Sequence, residues 1–94
     1  MHEASLLKNL LETIQTIVME QQGIRATRIT VQIGALSHLT PEHFRSHFQQ
    51  AAQGTVAENA QLEITVLDNI QDPLAQEILL ESVEVEMATE LQER

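Results

Sequence analysis

The chain has 94 residues, 43% of them hydrophobic, with a formal net charge of −9. A chain this long forms one small domain that buries about 60–65% of its extended-chain surface, enough for a layer of helices on a sheet. Its lack of cysteine excludes disulfides, thiolate zinc sites and thiol nucleophiles, and its acidic balance offers no basic stripe for a nucleic acid. No apolar run approaches a membrane span, and the first residues lack the basic flank and apolar stretch of a signal peptide. The expectation is a cytoplasmic protein that engages neither membrane nor nucleic acid. Phe44 and Phe48 are its two aromatic residues, too few for a base-stacking platform.

Leu6, Leu7, Leu10, Leu11, Ile14, Ile17 and Val18 recur at helical spacing. They predict an amphipathic helix over about residues 4–21, with Gly23 as a left-handed stop. In "RITVQIG", Ile29, Val31 and Ile33 alternate with Thr30 and Gln32, the period of a half-buried strand ending at Gly34. "LTPEHFRSHFQQAAQG" then predicts a second helix. Thr40 suits the N-cap, Pro41 the first helical position and Glu42 the positive end of the dipole. Phe44, Phe48, Ala51 and Ala52 form its inner face, and Gly54 closes it.

After the turn "AENA", "QLEITVL" alternates again, with Leu62, Ile64 and Val66 inward. A last strand, "LLESVEVEM", puts Leu79, Val83, Val85 and Met87 on one side and Leu80, Ser82, Glu84 and Glu86 on the other. The intervening "DNIQDPLAQE" (68–77) reads as a short polar turn and "ATELQER" (88–94) as a frayed tail. The fold class is therefore α+β, α-β-α-β-β: a two-layer sandwich with two helices on one face of a three-stranded mixed sheet. The first two strands, joined through a helix, should be parallel and the last two an antiparallel hairpin.

Three clusters could carry chemistry. Glu63, Glu84 and Glu86 fall on the open sheet face, where a solvated polar surface explains them better than a paired-acid site. His43 and His47 sit four apart on the second helix, so both can reach one ion, and His38 lies just ahead; exposed histidines without a role are the preferred reading. The third cluster is "MHE". A bulky second residue should leave Met1 in place. The Met1 amine, the His2 backbone nitrogen and the His2 imidazole could then close two fused chelate rings. Planar nitrogen donors suit Ni(II) or Cu(II). Glu3 can add a carboxylate oxygen or offset the helix dipole. Any chain beginning Met-His offers these atoms, so spacing alone does not make the site.

Longer stretches add to this reading. "MHEASLLKNLLETI", "VQIGALSHLTPEHFR", "GTVAENAQLEI" and "SVEVE", in order and over essentially the whole chain, resemble the HypA/HybF family of hydrogenase nickel-incorporation proteins. The resemblance implies a metallochaperone rather than an enzyme: one nickel-binding domain over 1–94 that carries Ni(II) on Met1, His2 and Glu3. Its implied partners are the nickel-handling GTPase of hydrogenase maturation and a [NiFe]-hydrogenase large subunit; a homodimer is compatible with it. Family members also carry a zinc ribbon held by two CxxC pairs between the last two strands. Here that slot holds "DNIQDPLAQE", which does not look like a Gly/Ser linker, and since the chain has no cysteine no zinc is expected. The alternative function is an adaptor that keeps the fold and partner surface without carrying metal.

Overall fold

The computed structural model describes residues 3–34, 40–67 and 78–87, with side chains from Ser5 onward. In chain order the elements are α1 (Glu3–Glu20), β1 (Gly23–Ile33), α2 (Pro41–Ala51), β2 (Gln61–Val66) and β3 (Ile78–Met87). The α-β-α-β-β order and the mixed sheet agree with the periodicities above. The expected turn at 68–77 and tail at 88–94 lie outside the described residues.

The apolar stripe of α1 buries Leu7, Leu10, Ile14 and Val18, while Leu11 and Ile17 are half-buried and Leu6 stays exposed. These side chains meet Ala26, Ile29, Val31 and Ile33 of β1, Phe44 and Phe48 of α2, and Leu62 of β2 in one core. In α2 the Thr40 side chain accepts from the His43 N–H at 3.1 Å, and Pro41 and Glu42 occupy the first turn. That first turn satisfies both a spare amide and the helix dipole. Ala52, just beyond the helix, is buried; Ala51, expected inside, is exposed.

The sheet order is β2-β1-β3, with β1 parallel to β2 and antiparallel to β3. The last two strands therefore run in opposite directions, as expected, but they are not a hairpin: β1 lies between them. Val66 and Ile78 both register with Ile33, so the connection spans two interstrand spacings, about 10 Å, at one end of β1.

Bulges explain the other departures. Thr30 pairs with Ser82 and Val31 with Leu80, leaving Glu81 as an extra residue in β3. The extra residue inverts the alternation. Val83 and Val85 pack on the core after it, but Ile78 and Leu80 do so before it, so Leu79 moves to the opposite face from the one its spacing predicted. Val66 and Met87 are also exposed rather than inward. On β1, Thr27 is extra between the Ala26–Val85 and Arg28–Glu84 pairs. Ala26 and Ile29 can then both face inward while Arg25 and Arg28 face out.

The end of α1 also differs from expectation. The left-handed residue is Gln22 (φ 59°), and Gly23 instead opens β1. A Cβ at Gly23 would collide with Val85 Cγ1 and lie 3.3 Å from the Glu86 carbonyl oxygen. Close approach of β3, not backbone conformation, is what requires glycine there.

Candidate metal centre

Among the described residues α1 begins at Glu3, the last residue of the expected chelate. Met1, His2 and the Glu3 side chain lie outside the described atoms; the backbone of Glu3 is placed as the first helical residue. The first four N–H groups of a helix have no acceptor within it. Backbone nitrogens at this end are consequently not committed to the helix ladder, whereas a nitrogen in mid-helix would have to break a hydrogen bond before binding anything.

His38 also falls outside the described residues. His43 and His47 are placed: the helical spacing of α2 stacks them on one face, with ring centroids 4.1 Å apart and ring planes tilted by 48°. His43 is exposed and His47 half-buried. His47 also lines a groove of about 730 Å³ between α1 and α2, together with Leu7, Leu11, Glu12 and Ala51. Among the described residues no three His, Cys, Asp or Glu side chains converge on one point.

The open sheet face carries the carboxylates, each beside an arginine. Arg25 Nε lies 2.7 Å from Glu86, and Arg28 sits between Glu63 at 3.8 Å and Glu84 at 3.9 Å. A guanidinium standing between two carboxylates makes this a charge-paired surface, unlike two acids placed to share one proton. All of these side chains are 44–62% exposed, so the pairs contribute little to stability. The solvated-face reading of Glu63, Glu84 and Glu86 agrees with this geometry.

Sequence reasoning passed over the arginines: the Thr27 bulge hides Arg25 from strict alternation, and Arg28, although it alternates outward with Thr30 and Gln32, meets carboxylates that lie on other strands. It also passed over Arg45, whose guanidinium donates to the Leu62 carbonyl and ties α2 to the edge strand β2. No local pattern announces a contact between residues on separate elements.

A family model described as hydrogenase/urease nickel incorporation, metallochaperone, HypA, matches residues 1–71. The chain belongs to the HypA family. The match begins at residue 1 and so includes "MHE"; it stops inside the 68–77 segment, so β3 is tied to HypA by fold rather than by sequence. A hydrogenase maturation factor HypA from Acidithiobacillus ferrooxidans is 39% identical over 67 residues, 71% of this chain and 59% of the relative. One from Rhodopseudomonas palustris is 41% identical over 64 residues, 68% of this chain and 57% of the relative. The matched region thus spans under two thirds of the length of these HypA relatives. The solution structure of the Ni metallochaperone HypA from Helicobacter pylori superposes with a TM-score of 0.77 over 94% of this chain and 100% of that one, at 19% identity. The HypA fold therefore extends through β3.

Proposed function

We propose that this chain acts as a nickel-carrying accessory domain in the maturation of a nickel enzyme, a [NiFe]-hydrogenase, and that Ni(II) is its cargo. The observation that carries the proposal is the family match beginning at residue 1, over a sequence whose first residues supply an amine, an amide nitrogen and an imidazole. The Met1 amine and the His2 nitrogens form the chelate, with Glu3 contributing an oxygen or balancing the positive end of α1. Backbone nitrogens in the first turn of α1 have no acceptor within the helix, so metal binding there competes with no helical hydrogen bond. The whole chain, 1–94, serves as one domain in the cytoplasm. It hands its ion to the hydrogenase large subunit with the help of a GTPase, and it performs no catalysis itself.

A second reading has its own support: the matched region covers only 57–59% of those relatives, and the chain contains no cysteine. In that reading the domain is an adaptor that holds maturation partners without carrying metal. Calorimetry on protein with a free amino terminus separates the two. Stoichiometric Ni(II) binding that disappears in His2→Ala supports the carrier. Partner binding by a protein that takes up no nickel supports the adaptor.

A further inference from the structure

We propose that His43 and His47 on α2 form a second binding site for a borderline divalent cation of the Ni(II), Cu(II) or Zn(II) class, separate from the amino-terminal chelate. The argument rests on the placement of the two rings. At metal–nitrogen distances of about 2.0–2.1 Å and ligand angles near 90–110°, two donors on one ion lie about 3–3.5 Å apart. Rings with centroids 4.1 Å apart and tilted by 48° can bring one nitrogen each to that separation through side-chain torsions alone. The i, i+4 spacing on α2 supplies this proximity, so no backbone movement is needed.

Each imidazole has two ring nitrogens, and a ligating histidine ordinarily uses the second for a hydrogen bond. Ion binding through one nitrogen is thus compatible with each ring keeping a partner on the other. Imidazole donors select borderline ions over Mg(II) or Ca(II), which prefer oxygen. Electrostatics permit the site. His43 lies in the first turn of α2, where the helix dipole disfavours a cation, but Glu42 occupies the same turn and the chain carries a net charge of −9. No described carboxylate or histidine joins the pair as a third ligand, so water completes the sphere. Two imidazoles with water bind an ion less tightly than fused chelate rings do, and the site should fill after the amino-terminal one.

The test uses the full chain carrying His2→Ala, which removes the first site, and Zn(II) as a diamagnetic probe. The histidine ring resonances of His43 and His47 are followed by NMR. The site predicts that both rings respond together, saturating at one equivalent, and that His47→Gln lowers the affinity reported by His43 at least about tenfold. It also predicts that the thermal midpoint of the His2→Ala protein rises with Zn(II) concentration, and that this rise is lost in His47→Gln. A response of one ring without the other, no response from either, or an unchanged His43 response in His47→Gln would overturn it. Because every arm lacks the His2 imidazole, these outcomes are independent of whether the amino terminus carries nickel.

Discussion

Gly23 is where the fold can be tested with the fewest atoms. Gly23→Ala adds one methyl group, and that methyl meets Val85 Cγ1 and approaches the Glu86 carbonyl oxygen to 3.3 Å and Val18 Cγ1 to 3.5 Å. Val85 is β-branched and packs on the core, so it has one favoured rotamer and little room to turn away. The carbonyl belongs to a paired strand and moves only if β3 moves. Overpacking of this kind costs about 1–3 kcal/mol. Against it stands the entropic benefit of replacing glycine, about 0.4–1 kcal/mol, which applies because Gly23 is not among the described positive-φ residues. The net expectation is a loss of about 1–2 kcal/mol, or a midpoint lowered by about 4–15 °C for a domain of this size. Urea and thermal unfolding of Gly23→Ala, Val85→Ala and the double variant measure it. Removing Val85 Cγ1 relieves the collision, so the double variant should be no less stable than Val85→Ala alone. An unchanged or raised midpoint in Gly23→Ala, or strict additivity in the double variant, would refute the claim that β3 approaches β1 closely at this point.

The remaining predictions are brief. Gln22→Gly removes a side chain from a left-handed position (φ 59°) and should raise stability by about 0.5–1 kcal/mol, read as an increase in the urea midpoint. Thr40→Ala deletes the cap on the His43 N–H and should cost about 0.5–2 kcal/mol, whereas Thr40→Ser should restore most of it. Prolonged chelator treatment of protein purified without added metal should leave the thermal midpoint in place, since the core is closed by apolar contacts; a drop of several degrees would reveal a structural ion.

Periodicity reached the parts of this fold in which each element obeys its own repeat. Leu7, Leu10, Ile14 and Val18 follow the helical spacing that buries them, Ile29, Val31 and Ile33 the strand spacing, and Thr40-Pro41-Glu42 announces the start of α2. It failed where an extra residue breaks the repeat. Glu81 and Thr27 are bulges, and a bulge is visible only against the strand it pairs with, so the faces of Leu79 and Leu80 were exchanged and the first half of β1 was missed. Strand order lies further out of reach. An eleven-residue connection (67–77) is as compatible with a hairpin as with a crossing to the far edge, and the decision rests on β1 offering both of its edges. At the left-handed position glycine was the natural expectation, but Gln22 takes it while Gly23 is reserved for β3.

The candidate sites divide in the same way. "MHE" is legible because it is contiguous and its donors are set by residue type, and the structure adds that α1 begins at Glu3. The His43–His47 pair is legible as a spacing, but the 4.1 Å separation of its rings is not. The open face reads as polar from its letters, whereas the pairing of its carboxylates with Arg25 and Arg28 becomes visible only once β1 is placed between β2 and β3.

The proposed nickel chelate depends on a free α-amine, and one comparison isolates that group. An amino-terminal extension turns the Met1 amine into an amide and leaves His2, Glu3 and the rest of the chain as they are, while a carboxy-terminal extension changes none of the donors. Ligands must lose their protons to bind, so nickel uptake in the free-terminus protein should also release protons and weaken as the solution is acidified. Calorimetry with Ni(II) on the two extended proteins, in buffers of different ionisation enthalpy, reads affinity and proton release together. The account predicts tight, proton-releasing binding with the carboxy-terminal extension and its loss with the amino-terminal one. Equal nickel affinity in both would contradict the terminal-amine site and leave His2 at most one ligand among several.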